Sequence, residues 1–271
     1  MLNDITLGQF FPGNSLIHRI DARFKFVLTI LYLSFVFNAK TDVAFLFVLA
    51  FSVMMVLLSK ISLRIILKGL KPLIFIIVFT AFINIFWTSG NDLLVELYGI
   101  KIYREGVTMA VFMVLRLICL ITGTSILISY TTSPVELTDA MERLFSPLKK
   151  LKIPVHDFSM MMTIALRFIP TLVEETDKIM SAQKARGADF ESGSIIRRIR
   201  SLIPILIPLF VSAFRRADEL AQAMECRCYR GGEGKTRMKI MKADAKDFVV
   251  MMVMLIAFTA VFFLNNYSFI L

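Results

Sequence analysis

Residues 158–187, FSMMMTIALRFIPTLVEETDKIMSAQKARG, and 201–230, SLIPILIPLFVSAFRRADELAQAMECRCYR, are built on one plan. Each opens apolar, over 158–173 and over the 14 uncharged residues Ser201–Phe214, and closes charged, over 174–187 and 215–230. Apolar runs of ~10–14 residues are too short to cross a bilayer and belong at an interface or in a core. Each segment ends in a small residue, an arginine and another small residue: Ala185-Arg186-Gly187 and Cys226-Arg227-Cys228, the arginines 41 positions apart. No repeat of the solenoid type accompanies this echo. The pattern predicts one helix from Val155 to Gly187 and another from Ser194 to Tyr229, the second stopped by Gly231-Gly232. Such helices are about 50 Å long, enough to begin on a membrane and end well into the cytoplasm. Pro170, Pro204 and Pro208 are expected to bend or locally break them. A shorter helix, from Ser133 to Lys150, should precede them, with Ser133 as N-cap, Pro134 at the first helical position and Glu136 placed for a capping box.

Outward from this stretch the chain turns oily. Of 271 residues 57% are hydrophobic and 19% charged, with mean hydropathy +0.72 and net charge +10. That hydrophobicity excludes intrinsic disorder, and three cysteines exclude a disulfide-stapled scaffold. Uncharged runs of 14, 17, 20, 19 and 24 residues follow Lys25, Asp42, Lys71, Arg116 and Asp247. Since a spanning helix needs about 20 apolar residues, five spans are expected, near 25–40, 42–60, 72–90, 107–131 and 247–267. The first reaches that length only if a flanking lysine snorkels. No cleavable signal peptide is expected, because residues 1–23 hold no apolar core. Lys/Arg bias sets the orientation: three in 1–25, four in the 60–71 loop and twenty in 132–246, against Lys40, Lys101 and Arg104 on the other side. The N-terminus and the long segment are thus expected in the cytoplasm and the C-terminus outside, in the plasma membrane of a prokaryote. The expected fold is an all-α integral membrane protein. It divides into a four-span domain (1–131), a cytoplasmic module of three helices (132–246) and a final span (247–271).

Arg186 and Arg227 read most simply as members of solvated charged faces, favoured in any case at helix C-termini. As a pair with small neighbours they also suit docking, because a planar guanidinium fork fits a partner's carboxylates. Phe214, Ala217, Ala221, Met224 and Cys228 recur at three- and four-residue spacing, which predicts packing against the preceding helix. Gly234-Lys235-Thr236 imitates the end of a phosphate-binding loop. The motif needs glycine where Tyr229 stands and a strand before it, so it is rejected as a nucleotide site. Cys226 and Cys228 alone do not fill a tetrahedral metal site, and His18 and His156 form no recognisable dyad. Arg116, inside the fourth span, is the intramembrane charge of interest, either functional or else a structural tie or a snorkelling side chain, with Asn84 as a candidate polar partner. The spans hold no paired carboxylates and no row of ionisable groups, and no nucleophile motif or metal cluster is present in the sequence, so the chain is not expected to catalyse or power anything alone.

The runs 165–187 and 197–227 closely resemble the T-component of energy-coupling factor (ECF) transporters, the CbiQ/EcfT family. Residues 13–25, GNSLIHRIDARFK, resemble that family's opening signature, and Thr131-Thr132-Ser133-Pro134 with Glu136-Leu137 its entry into the cytoplasmic helices. The resemblance implies a subunit that joins two ATP-binding-cassette ATPases to a membrane-embedded S-component capturing a vitamin or metal ion. It implies that the last two cytoplasmic helices cross and act as coupling helices. Arg186 and Arg227 would dock the ATPases, with Ala185, Gly187, Cys226 and Cys228 as small neighbours. Phe158, Met161, Met162 and Pro170, with Pro204, Leu206, Pro208 and Phe210, would present the apolar surface under the S-component. ATP and Mg would be bound by the ATPases, with no cofactor, metal or nucleic acid held by this chain. Two departures stand out: Ala22 where proline is common, and Cys-Arg-Cys where Ala-Arg-Gly is usual. Cysteine takes positive φ less cheaply than glycine, so the last helix is expected to run on to Gly231. The alternatives are a self-sufficient channel or carrier, which would transport without ATPases, and an integral-membrane enzyme, which would turn over alone.

Overall fold

Helices begin where capping side chains meet the ends of the charge-free runs. The computed structural model describes residues 10–90, 92–97, 100–151, 154–188, 190, 194–231 and 243–265. Asp21 caps α1 (Ala22–Asn38) by accepting from Arg23 N at 2.9 Å, and Thr41 caps α2 (Asp42–Ser59). A short amphipathic α3 (Leu63–Leu70) carries Arg64 and Lys68, two of the four basic residues of the expected 60–71 loop, and runs through one tight turn into α4 (Ile74–Trp87). α5 (Arg104–Thr124) widens into a π-helical turn, Ser125–Tyr130. α6 (Pro134–Leu144), α7 (Val155–Ala185), α8 (Ile195–Cys226) and α9 (Ala245–Leu264) complete the order, with a reciprocal capping box between Asp244 and Asp247 opening α9.

The chain divides into two compact units, residues 8–137 with 241–271, and residues 138–240. In the first, four helical runs are long and apolar enough to cross a membrane: α2, the continuous stretch Leu63–Trp87, Arg104–Tyr130 and α9. α1, the first expected span, has 17 residues, about 26 Å, at the lower limit for crossing. It packs on α9 and α5, with no exposed surface on Tyr32, Phe35 or Val36. Tyr32 Oη donates to Cys119 O (2.9 Å) and shares a hydrogen bond with Ser52 Oγ (2.8 Å), tying α1, α5 and α2 together. Gly123 lets α5 approach this closely, because a Cβ there would overlap the Tyr32 ring. Helices in lipid associate through such small-residue contacts and interhelical hydrogen bonds, without a hydrophobic drive between them.

One end of this bundle is closed by a polar strap, residues 10–21. Phe11 N donates to Tyr130 O, and His18 bonds Ser15 Oγ through Nδ1 and Phe11 O through Nε2. Asp21 N donates to Asp247 Oδ1 at 3.1 Å, which fastens the strap to the start of α9. Lys25, only 2% exposed, drives its Nζ onto Thr131 O at 2.7 Å, where the α5 run ends. The ammonium satisfies a carbonyl that no helical N–H can reach. At the other end of α1, Asn265 holds Lys40 N and Asn38 O, so α9 braces the α1–α2 turn.

Two expectations change here. The 91–106 loop contains an antiparallel hairpin, β1 (Leu93–Leu97) and β2 (Ile100–Tyr103), so among the described residues the fold is all-α but for these strands. The helix expected over 133–150 stops at Leu144 and continues as a tight turn, Ser146–Leu151. Pro147 lacks the N–H and clashes with the preceding turn, which forces the change. Ser133 Oγ does accept from Glu136 N, at 3.2 Å, as an N-cap.

Gly123→Ala is expected to destabilise the bundle by about 1–3 kcal/mol through overpacking, read as a lowered melting temperature in detergent. Tyr32→Phe in the same chain should give little relief, since the overlap includes ring carbons as well as the hydroxyl, whereas Tyr32→Ala should relieve it. An unchanged melting temperature for Gly123→Ala would contradict this packing.

Candidate functional site

α7 and α8 lie in the unit of residues 138–240 and are continuous through Pro170, Pro204 and Pro208, which therefore break neither helix. α7 is tied to α6 at its start, where His156 Nδ1 meets Glu142 Oε1 at 2.9 Å. Both long helices end in the same way. Arg186 is the C-cap of α7 (φ −86°, ψ 6°), followed by Gly187 at φ 86°; Arg227 is the C-cap of α8 (φ −90°, ψ 14°), followed by Cys228 at φ 55°. Gly187 N donates to Lys184 O and Ala188 N to Gln183 O. Cys228 N donates to Glu225 O and Tyr229 N to Met224 O, the same two bonds displaced by 41 residues. This pair of bonds is the Schellman termination, which requires a left-handed residue just past the cap.

The expected continuation of α8 to Gly231 is thus corrected: α8 ends at Cys226, and Cys228 adopts the left-handed conformation that glycine takes in α7. The compensation lies in the next residue. Tyr229 caps Met224 O with its N–H and donates its Oη to Met160 Sδ at 2.9 Å. Gly232 and Gly234-Lys235-Thr236 fall outside the described residues. Ala185, Arg186, Gly187, Cys226, Arg227 and Cys228 are all exposed, and neither arginine side chain has a hydrogen-bond or ion-pair partner among the described residues.

The relative direction of the helices follows from two contacts. Tyr229, just beyond the end of α8, touches Met160 near the start of α7, while Arg216 Nη2 meets Glu175 Oε2 at 2.5 Å midway along both. As the α7 number rises the α8 number falls, so the pair is antiparallel. Two antiparallel helices cannot both begin on one membrane surface and rise away from it, which corrects that expectation. The arginine tips stand at opposite ends of the pair, separated by on the order of 30 Å for 11 helical residues on either side of the crossing.

The stripe expected to face α7 is also corrected. Phe214, Ala217, Ala221 and Cys228 are exposed and only Met224 is partly covered. The covered face instead runs through Ile205, Leu209, Ser212, Ala213, Arg216 and Leu220, one step around the helix, with Arg216 on Glu175. This leaves an uncovered apolar face on α8, Ile199, Leu202, Leu206, Phe210 and Phe214, in which the Phe210 and Phe214 rings touch. Pro204 and Pro208 on α8, and Phe158, Met161, Met162 and Pro170 on α7, are exposed as well. Sequence inspection had placed the apolar halves but not this face, although positions 199, 202, 206, 210 and 214 carry its period.

In the other unit, Arg116 and Asn84 are not brought together. Arg116 Nη2 donates to Ala39 O at 2.7 Å, capping the end of α1, while Asn84 Nδ2 donates to Thr80 O one turn back in its own helix. Arg116 acts here as a tie between α5 and the α1–α2 turn. Among the described residues no group of three or more His, Cys, Asp or Glu side chains is arranged to hold a metal.

A family model described as cobalt transport protein, CbiQ, matches residues 13–239. Among curated relatives, the energy-coupling factor transporter transmembrane protein EcfT of Clostridium kluyveri is 52% identical over 250 residues, 92% of each chain. The EcfT of Ruminiclostridium cellulolyticum is 53% identical over 251 residues, 92% of this chain and 93% of its own. That of Bacillus subtilis is 43% identical over 265 residues, 98% of this chain and all of its own.

Cys228→Gly is expected to stabilise the last turn of α8 by about 1 kcal/mol, the cost of a side chain at left-handed φ. It should slow amide exchange at Glu225–Tyr229 about fivefold. Gly187→Ala should speed exchange at the α7 tip by a similar factor. The effect is conformational, since nothing lies within 4 Å of a Cβ there. Unchanged exchange in both variants would contradict the shared termination.

Proposed function

The chain belongs to the CbiQ family, and from that membership we propose that it is the transmembrane coupling subunit of an energy-coupling factor importer. The protein is a multi-pass membrane protein of bacterial kinship. In the proposed role it is non-catalytic: two partner ATPases bind ATP and Mg, and a membrane-embedded S-component captures the vitamin or metal ion. The N-terminus and residues 138–240 face the cytoplasm, in keeping with the twenty Lys/Arg between 132 and 246, and the C-terminus lies outside.

One observation carries the proposal. Two exposed arginines, in matched helix terminations 41 residues apart, stand at opposite ends of an antiparallel pair. Two equivalent docking points facing apart suit two similar partners. Each guanidinium supplies a planar fork of donors for an acidic groove, and the small flanking residues let the groove wall close over it. Charge-assisted hydrogen bonds of this kind contribute about 1.5–3 kcal/mol each. When ATP draws the ATPases together, the tips follow, and the helix pair shifts as one body. The apolar surface of Phe158, Met161, Met162, Pro170, Pro204, Leu206, Pro208 and Phe210 then carries the S-component with it. A surface this apolar on a helix that no other described element covers fits a partner or lipid rather than water.

Arg186→Ala or Arg227→Ala is expected to weaken ATPase binding by about 10–100-fold, and the double variant to lose both co-purifying ATPases and uptake. Retention of the two by the double variant would sink the docking assignment.

A further inference from the structure

α7 and α8 cross at an ion pair. Glu175 Oε2 receives Arg216 Nη2 at 2.5 Å, and Glu175 Oε1 accepts a hydrogen bond from Ser212 Oγ. The carboxylate is 22% exposed and the guanidinium 33%, so the network is partly shielded from water. Its numbering is telling. Glu175 lies 11 residues before Arg186, and Arg216 lies 11 residues before Arg227. Each arm from the crossing to a docking arginine is thus the same length, about 16 Å.

Beside the pair a cleft of ≈ 370 Å³ is lined by Thr171, Glu174, Glu175, Lys178, Ile179 and Ala182 of α7 and by Arg216 of α8. Toward the other end of α8, Tyr229 Oη meets Met160 Sδ. A one-turn slip of α8 along α7 would change the tip-to-tip separation by ~5.4 Å. A docked pair of ATPases would not tolerate so large an error without losing one of its two grooves.

We propose that Glu175 and Arg216, with Ser212, are the positioning residues that set the register of the crossing and so the equal reach of Arg186 and Arg227. This rests on the docking role given to the two arginines. The pair touches neither partner nor substrate. It acts by holding two levers at equal length, so that a change in ATPase spacing reaches both ends of the helix pair together. The opposite charges make the assignment testable by exchange, because a swapped pair restores the bond with the same partners.

The test uses the full complex of this chain, both ATPases and an S-component in liposomes, with uptake per ATP hydrolysed, ATPase co-purification and melting temperature as readouts. Glu175→Arg and Arg216→Glu singly are expected to lower uptake per ATP about tenfold. The double exchange should recover most of it, and Glu175→Gln, a milder change, should give an intermediate loss. Loss of one ATPase in a single variant, regained in the exchange, would equally support the proposal. Unchanged uptake per ATP in both single variants would overturn it, as would failure of the exchange to recover function at a normal melting temperature. Failure of the docking role is separately visible as ATPases retained by the Arg186→Ala, Arg227→Ala double variant.

Discussion

The antiparallel crossing of α7 and α8 at Glu175 and Arg216 is the constraint on which the second unit depends. It rotates α8 so that Ser212, Arg216 and Leu220 turn toward α7, and it leaves Phe210 and Phe214 uncovered. It also sends the two helix C-termini in opposite directions, which is why two matched terminations become two separate points. The same sequence with parallel helices would bring the arginines together and oppose two cations at one end. Magnitude matters here: an exposed ion pair contributes ~0–1 kcal/mol, so the value of this one is geometric, in register, more than in stability.

The first unit obeys a different constraint. In lipid every backbone polar group needs a partner from the protein itself, and the ends of spans are where partners run out. Here the ends are served by side chains from elsewhere in the chain. Lys25 serves the end of the α5 run, Asp247 the end of the strap, Arg116 the end of α1 and Asn265 the turn into α2. The basic residues that set topology in the sequence thus also include structural ties.

How much of this was legible in the sequence depends on whether the deciding term was local. Charge-free runs and caps are local, and they placed α2, α7 and α9 within a few residues. Ser133 was legible as a cap for the same reason. The end of α8 was not, because cysteine at left-handed φ is locally unfavourable and is held there by a contact to Met160, 68 residues from Cys228. The direction of α8 against α7 and the partner of Arg116 are likewise long-range facts. The spacing of 11 between Glu175 and Arg186, repeated between Arg216 and Arg227, was present in the sequence but has no meaning until the pair is known to touch. The hairpin at 93–103 was hidden by reading an external loop only for its charge.

The most direct measurement is the distance between the two tips. With Cys119→Ser and Cys228→Gly removing the other thiols, Ala185→Cys and the native Cys226 can carry spin labels at exposed sites. An antiparallel pair crossing at Glu175 and Arg216 predicts a separation on the order of 30 Å, shifting when ATP is added to the assembled complex. A distance near ~10–15 Å, as for adjacent parallel helix ends, would contradict the account.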